Sequence, residues 1–358
     1  MQKKLIALAV VAAFSAPAFA DVTMYGVADA AVVRATGAGQ QSDIIAYSGG
    51  LAQSRLGAKA VEDLNNGMKA VVVLEYGLDA QTNVGLSGAK ARQQMLAVAG
   101  DFGTVATGYL QTTGYDFGVK YDPTAGSAVS SLQNVTQGHF VIGSAAIGAR
   151  APRALAYISP SFSGVTVAVN YSTSLQPTIP ALSATPLGND LGNLAQNADN
   201  KITAYLLSAN YDAGALAVGG VYSDVKVAGT EFVKEYALGA SYDFTVAKLS
   251  GTYQSNTPNG GSSNKAMSVS VVAPVGPGAV ALSYAKNTMA AANSSASGTT
   301  LAWLQGLSKT TTLYAAYSQV SQGSATNAFS VINGALSNAN LSAGGSSTLF
   351  AVGLNKKF

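Results

Sequence analysis

The sequence predicts an all-β protein, a closed antiparallel transmembrane β-barrel of 16 strands whose third long loop folds inward. Three observations lead to this fold class: period-two alternation, seven turn signals, and a composition that is apolar but poor in charge. Of 358 residues, 48% are hydrophobic and 10% are charged, against roughly 25% charged in soluble domains. The mean hydropathy is +0.24, so the chain exposes apolar surface to something other than water.

The first twenty residues are predicted to be a secretory signal peptide. Lys3 and Lys4 precede an apolar stretch, and the segment 18–20 (Ala-Phe-Ala) has the small-x-small pattern of a cleavage site. Removing it leaves 18 basic residues against 17 acidic, so the charge balance gives no reason to expect a nucleic-acid partner. Beyond it we find no apolar run long enough for a helical span. We expect residues 21–358 to form one barrel domain.

Turn signals divide this domain into eight segments, each long enough for two strands of about ten residues and one longer loop. Eight pairs give sixteen strands. We expect only short turns at one end of the sheet, only longer loops at the other, and both termini at the short-turn end. The turn signals occupy residues 65–67, 101–103, 161–164, 212–214, 243–245, 274–278 and 308–310.

Alternation within the strands separates an apolar face from a polar one. Around residue 250, Leu249 and Tyr253 share one face, whereas Ser250, Thr252 and Gln254 share the other. A face this polar does not suit a sandwich core, and a sheet in hydrocarbon cannot leave unpaired edges. The strands must therefore close into a barrel. The aromatic residues near the turns would form an interfacial girdle; these are Tyr25, Phe102, Phe162, Tyr211, Tyr242, Phe244 and Phe358.

A barrel of sixteen strands is wide enough to hold an aqueous channel. The stretch 112–150, after the fifth barrel strand, is too long to be a simple connector. Folded inward, it would narrow the lumen and form a constriction. The predicted inward-loop residues are Tyr115, Asp116, Lys120 and Asp122.

Seven short segments carry a resemblance to a known family. They read VTMYGVAD (22–29), GLAQSRLG (50–57), EDLNNGMKA (62–70), GDFGT (100–104), SPSF (159–162), LSKTTTLYAAY (307–317) and VGLNKKF (352–358). In this order the chain resembles the general porins of β-proteobacteria, within the Gram-negative porin family.

The resemblance implies passive diffusion of small hydrophilic solutes and ions through a homotrimer, without a cofactor. It places the chain in the outer membrane, in contact with lipid and lipopolysaccharide, and makes Phe358 the signal for the assembly machinery. By position, Arg55, Arg92 and Arg150 match the wall arginines of the family. Ala156 and Ile158 depart from it, because the family commonly has an arginine and an acid there.

Strand parity independently directs five charged residues towards the lumen, namely Arg55, Lys59, Lys69, Glu75 and Arg92. An arginine facing lipid near the midplane would cost about 2–4 kcal/mol. With Arg150 on this wall and Asp116 and Asp122 on the loop, positive charge exceeds negative charge. Since charges around a pore set its ion preference, we expect a weak preference for anions.

Three alternatives compete with a general diffusion channel. An enzyme would rest on the lone His139, but no nucleophile elbow accompanies it, and no His or Cys cluster suggests a metal site. A substrate-specific channel needs an aromatic path, for which Tyr115 and Tyr121 are too few. A surface adhesin needs long ordered loops, whereas residues 172–200 and 319–345 are rich in small residues.

Overall fold

Seventeen β-strands form one antiparallel sheet in the computed structural model, which describes residues 21–38, 42–79, 81, 90–144, 148–175, 201–331 and 342–358. The predicted signal peptide lies outside these residues. The strands are β1 (Asp21–Gly37), β2 (Asp43–Ser48), β3 (Arg55–Asp63), β4 (Lys69–Gly77), β5 (Lys90–Gly100), β6 (Gly103–Gln111), β7 (Arg150–Ile158), β8 (Val165–Ser172), β9 (Ile202–Ala213), β10 (Leu216–Val227), β11 (Thr230–Asp243), β12 (Lys248–Pro258), β13 (Asn264–Val275), β14 (Gly278–Thr288), β15 (Ala296–Ser308), β16 (Thr311–Gln322) and β17 (Ser346–Lys357). Helices α1 (Thr113–Tyr121) and α2 (Ser131–Thr136) and a 3-10 turn (Asn65–Gly67) complete the described elements.

The sheet closes into a barrel of sixteen strands, because β1 pairs with the last strand as well as with the second. Its register with β17 runs from Val27↔Lys357 to Gly37↔Ser347. On its other edge, the first half of β1 pairs with β3 and the second half with β2. Strands β2 and β3 are therefore two halves of the second barrel strand, which accounts for the one extra strand.

All seven predicted turns join consecutive strands. Several contain the positive φ angles that tight turns require: Asn66 has φ 67°, Ser163 has φ 51° and Thr245 has φ 72°. The Asp243 carboxylate accepts a hydrogen bond of 2.7 Å from the Thr245 backbone, as in an Asx turn. Both described termini lie at the short-turn end, where Phe358 and Gly26 exchange backbone hydrogen bonds of 2.9 and 3.2 Å.

The expected division into short turns and longer loops is wrong at one place. Strands β10 and β11 meet at the long-loop end through two residues, Ala228 and Gly229, between the paired Val227 and Thr230. Both central residues have positive φ, 49° and 83°, which matches a type I′ hairpin turn. These two strands are therefore joined at the long-loop end by a tight turn and not by a longer loop.

Alternation separates the two faces as predicted. On β12, Leu249 and Tyr253 are exposed, whereas Ser250, Thr252 and Gln254 are buried. We call the side with exposed apolar residues the apolar face and the opposite side the polar face. Six of the seven predicted girdle aromatics are exposed. Tyr25 is the exception and corrects the prediction, because its odd position in β1 places its hydroxyl on the polar face, 3.1 Å from the Glu75 carboxylate.

Residues 112–149, here called the long connection, join β6 to β7 and pack against the polar face of distant strands. Helix α1 contacts β8 to β12, and α2 contacts β13 to β16. In one apolar cluster, Phe117 and Tyr121 of α1 pack with Val221 and Ala237 of the sheet. Gly239 makes room for this packing, since a Cβ there would lie 2.5 Å from the Tyr121 ring.

Polar side chains from five strands also bind the long connection. All five lie on the polar face, and each of them bonds to the backbone of the connection. Their bonds join Asn170 Oδ1 with Thr113 N (2.7 Å), the Glu235 carboxylate with Val141 N and Ile142 N (2.7 and 3.1 Å), Asn256 Nδ2 with His139 O, Asn287 Nδ2 with Val135 O (2.6 Å) and Thr300 Oγ1 with Val129 O (2.5 Å).

Candidate functional site: an arginine cluster beside the long connection

Two arginines and one glutamate meet on the polar face where β3, β4 and β5 run side by side. Arg92 Nε donates a hydrogen bond of 2.6 Å to Glu75 Oε1, and Arg55 Nε lies 3.6 Å from Glu75 Oε2. Glu75 pairs with Gly57, so Arg55 two residues earlier shares its face. A bulge after Glu75 leaves Arg92 as an extra residue and turns it to the same side. One carboxylate therefore serves two guanidinium groups.

Neutral groups hold these side chains in place. Gln53 Oε1 accepts a hydrogen bond from Arg92 Nη1, and the Gln53 carbonyl accepts one of 3.2 Å from Arg55 Nη1. The Tyr25 hydroxyl donates to Glu75 Oε2. The two arginines thus bond to one residue from the break between β2 and β3, in addition to their shared carboxylate.

The break that carries Gln53 is held by the buried carboxylate of Asp29. This carboxylate accepts hydrogen bonds from the backbone N–H groups of Leu51 and Ala52, at 3.4 and 3.2 Å. It also accepts bonds of 2.7 Å from the Tyr314 hydroxyl and 2.8 Å from Asn355 Nδ2. Four donors satisfy a buried charge that would otherwise be very costly.

Arg150, the first residue of β7, extends the group towards the long connection. Its Nε donates a hydrogen bond of 3.2 Å to the Arg92 carbonyl, and its Nη2 donates one of 3.0 Å to Gln111 Oε1. Its guanidinium lies 4.7 Å from the centre of the Tyr115 ring, within cation–π range. Gln111 Nε2 in turn donates 2.5 Å to Asp116 Oδ1. We call Arg55, Arg92, Arg150, Glu75 and Asp116 the arginine cluster.

Asp116 is the negative group of α1 that reaches this cluster. Its side chain touches solvent, yet the surrounding protein raises the pKa of its carboxyl by partial desolvation. The hydrogen bond from Gln111 and the positive charge of Arg150 lower that pKa to a smaller extent. Asp116 therefore takes up a proton at a higher pH than an ordinary aspartate.

Two predicted wall residues lie outside the cluster. Lys59 shares the polar face of β3 with Arg55 but is exposed, about 13 Å further along the strand at 3.3 Å per residue. Lys69 pairs with Asp63 at 2.9 Å beside the short turn, where the two side chains are 54% and 78% exposed. An ion pair this exposed contributes little to stability.

The remaining predicted residues of the long connection have other partners. Lys120 reaches Asp212 of β9 at 2.8 Å. Asp122 is buried inside the connection and accepts bonds of 2.9 and 2.8 Å from Thr124 N and Oγ1 and 2.5 Å from Ser130 Oγ. Burial raises the pKa of the Asp122 carboxyl, and these bonds oppose that rise. Asp122 thus joins the turn between α1 and α2 and does not contact the arginines.

Sequence reasoning missed Asp29, Gln53 and Glu235. Asp29 and Gln53 lie inside two of the segments that carried the family resemblance, and that placement was the available signal. No sequence signal marked Glu235, because an acidic residue at an alternating strand position is also typical of a wall that merely faces water. Its partners, Val141 N and Ile142 N, are set only by the path of the long connection.

The described residues contain no group of three or more His, Cys, Asp or Glu side chains placed to hold a metal ion. No helix in the described ranges has the length and apolar character needed to cross a bilayer.

A closed sixteen-stranded sheet with an apolar face towards its surroundings and arginines on the opposite face defines a β-barrel of the membrane-pore class. Comparison with known proteins identifies the family. A model of the family described as Gram-negative porin matches residues 7–325. The chain is 31% identical to outer membrane porin protein 32 of Delftia acidovorans over 88% of each protein. It is 28% identical to an outer membrane porin protein of Bordetella pertussis over 77% of this chain and 74% of that protein.

A solved structure agrees with the sequence comparison. The anion-selective porin of Comamonas acidovorans superposes with a TM-score of 0.76 at 26% identity, covering 95% of this chain and all of that one. The chain belongs to the Gram-negative porin family and is a protein of the outer membrane. The family resemblance stated from the sequence is confirmed.

Proposed function

We propose that this porin passes small hydrophilic solutes and ions by diffusion, with a weak preference for anions set at the arginine cluster. The charges of the cluster carry the proposal. The cluster contains three guanidinium groups and two carboxylates, those of Glu75 and Asp116. Its net charge is therefore one positive unit. Fixed charges beside a narrow water path favour counter-ions.

The long connection supplies the constriction in this proposal. Its backbone is bonded by side chains of β8, β11, β12, β14 and β15, all on the face opposite the exposed apolar residues. A segment bound to that face of a closed ring lies inside it, which supports an inward fold of residues 112–150. The lumen wall then carries Arg55, Lys59, Lys69, Glu75, Arg92 and Arg150.

Anion preference has support from a relative. The superposed porin of Comamonas acidovorans is described as anion-selective, and the arginine cluster of the present chain carries net positive charge. Asp122 does not enter the charge balance, because its carboxylate is enclosed within the long connection. Of the acidic residues that the structure describes, Glu75 and Asp116 are therefore the two that oppose the three arginines at the constriction.

Partners follow from the same family. We propose a homotrimer, as an outer-membrane protein of Vibrio cholerae with a similar fold was solved in a trimer form, with lipid and lipopolysaccharide around it. Phe358, exposed at the short-turn end, is proposed as the residue read by the assembly machinery. Residues 1–20 are proposed to be removed as a signal peptide.

We propose that the channel has no enzymatic activity, and the surroundings of its histidine support this. The one histidine of the chain, His139, is buried; its Nδ1 lies 3.1 Å from the Gln137 carbonyl, and its ring packs on Phe329 at 4.9 Å. Burial lowers the pKa of its imidazole. These contacts favour a structural histidine over a general base.

The proposal is tested by the reversal potential of purified channels in planar bilayers under a salt gradient. The wild type should prefer anions, and the double variant Arg55→Gln/Arg92→Gln should shift towards cations by about fivefold, since a unit charge at about 8 Å in water contributes about 0.5 kcal/mol. Lys309→Gln, in the exposed turn after β15, is the matched control and should leave selectivity unchanged.

Cation preference in the wild type would contradict the anion proposal. Liposome swelling with sugars of increasing size tests diffusion itself: a smooth decline with size supports a general channel, whereas saturation by one sugar supports a specific channel. An unboiled denaturing gel that shows a monomer-sized band would contradict the trimer.

A further inference from the structure

A set of lysines lies on the apolar face just beyond the ring of tyrosines at the long-loop end of the barrel. On β14, Lys286 follows the exposed Tyr284 by two positions, and on β11, Lys234 precedes the exposed Tyr236 by two positions. On β13, Lys265 stands two positions beyond the exposed Met267. Each lysine therefore occupies the first outward-facing position past the apolar band of its strand.

The strand register brings these lysines together. Lys265 pairs with Thr288, and Lys286 pairs with Met267, so the two lysines are diagonal neighbours about 7–8 Å apart. Lys234 lies two strands away, about 10 Å to the side at the usual strand spacing. The three ammonium groups thus border one patch on the outside of β11 to β14.

Charge on this patch is only partly balanced. Lys234 pairs with Glu231, and on β10 Lys226 pairs with Asp224 at 3.5 Å. Within the residues that the structure describes, Lys265 and Lys286 take part in no ion pair, and both are exposed. Two positive charges therefore remain at the level where the apolar band ends.

Placement of the patch suits the anionic headgroups of a membrane. A lysine on the lipid side is costly at the midplane and nearly free at the interface, and aromatic girdles mark that interface. Basic residues there attract lipid phosphate. In a barrel of this class the longer loops face outward and the short turns inward, so the patch is at the outer leaflet.

We propose that Lys265 and Lys286, flanked by Lys234, bind a phosphate group of the phosphorylated glycolipid of the outer leaflet, lipid A. Met267 and Tyr284 would contact its acyl chains below the phosphate. This inference rests on the proposed membrane orientation of the channel but not on its ion preference.

The test is a titration of the purified full-length protein in detergent with diphosphoryl lipid A, read by native mass spectrometry. The double variant Lys265→Gln/Lys286→Gln should raise the dissociation constant about 25-fold, since each lysine near an anionic surface contributes about fivefold. Lys356→Gln is the matched control, because Lys356 is an exposed lysine on the same face at the opposite end, and it should bind as the wild type does. Lipid A without phosphates should bind the wild type as weakly as diphosphoryl lipid A binds the double variant.

An unchanged dissociation constant in the double variant, or an equal loss in Lys356→Gln, would overturn the proposal. Displacement of lipid A by millimolar inorganic phosphate would also overturn it, because the site would then recognise free phosphate and not the lipid. Conductance of the double variant in planar bilayers should equal that of the wild type. Normal conductance with unchanged lipid A binding therefore rejects the lipid site alone, while absent conductance in the wild type rejects the channel.

Discussion

The hydroxyl of Tyr314 on β16 donates a hydrogen bond of 2.7 Å to the buried carboxylate of Asp29 on β1, although β17 lies between the two strands. Gly353 of β17 pairs with Tyr314 on one side and Ala31 on the other. A side chain at Gly353 would occupy the place of the Tyr314 hydroxyl. The bond therefore joins the first and last parts of the chain across the closure of the barrel.

Replacing Tyr314 by Phe should lower the free energy of unfolding by about 1–3 kcal/mol, because one donor to a buried carboxylate is lost. Urea unfolding in lipid vesicles, followed by tryptophan fluorescence, measures this change. Tyr317→Phe is the control, since its exposed hydroxyl reaches only Gln319 at 3.4 Å. Equal stabilities for the two variants would contradict a stabilising role of the bond.

Gly50 is expected to couple to the same hydroxyl. A Cβ at Gly50 would collide with the Tyr314 hydroxyl oxygen and would lie 3.3 Å from its Cζ. Gly50→Ala should therefore cost about 1–3 kcal/mol in the wild type and clearly less in a Tyr314→Phe background, which lacks the colliding atom. A double-mutant cycle measures the difference, and additive effects would exclude the predicted contact.

Neutralising Glu75 should increase the anion preference. Glu75→Gln removes the negative charge shared by Arg55 and Arg92, and one unit charge at about 8 Å in water changes ion selectivity about twofold. The reversal potential under a salt gradient reports the shift. Asp63→Asn, beside the short turn and 78% exposed, removes the same charge away from the cluster and should leave selectivity as it was.

Ion selectivity should also depend on pH through Asp116. Desolvation raises the pKa of its carboxyl, so its negative charge disappears at a higher pH than that of an ordinary aspartate as the solution is acidified. Loss of this charge beside Arg150 should strengthen anion preference as pH falls. Reversal potentials between about pH 7 and pH 4 would show this rise, about twofold for one unit charge at about 8 Å.

Asp116→Asn separates this effect from changes at other groups. The variant should start at the higher anion preference and lose the early part of the rise. A pH profile identical to that of the wild type would assign the titration to another group.

Glu235 is expected to keep the long connection in place. Its carboxyl group accepts hydrogen bonds from two backbone N–H groups, and a buried N–H group left without its acceptor costs about 1–3 kcal/mol. Glu235→Ala should therefore increase current fluctuations in single-channel recordings, and Glu235→Gln should do so less because one acceptor remains. Asp212→Asn removes only the half-exposed ion pair with Lys120 and should leave the current fluctuations at the wild-type level.

Most of the fold could be predicted because period-two alternation and turn chemistry are local properties of the sequence. The break in the second barrel strand could not, since the residues after Ser48 are held by Asp29, whose donors come from positions as distant as Tyr314 and Asn355. The hairpin turn at Ala228 and Gly229 was missed because this dipeptide is a weak turn signal beside Asn-Gly or Asp-Gly.

The candidate site was predictable in its arginines but less so in its acids. Arg55 follows from strand parity, whereas Arg92 faces the same side because of the bulge after Glu75, which strand parity does not predict. The prediction for Arg150 rested on the family resemblance. The setting of an acid depends on how the long connection folds: Asp116 reaches Gln111, while Asp122, six residues later, is enclosed by Ser130 and Thr124. No local pattern distinguishes these two aspartates.

The Asp29 carboxylate in the first strand obtains its full set of hydrogen-bond donors only after the last strands have been added. Two of its four donors, Tyr314 and Asn355, come from the end of the chain, so a nascent chain cut short before β16 has a charged group in its first strand without those partners. Such a product would also keep an open edge where β1 awaits its neighbour. Truncated copies therefore lack both the strand that pairs with β1 and two of the donors to its buried carboxylate, so the barrel cannot close.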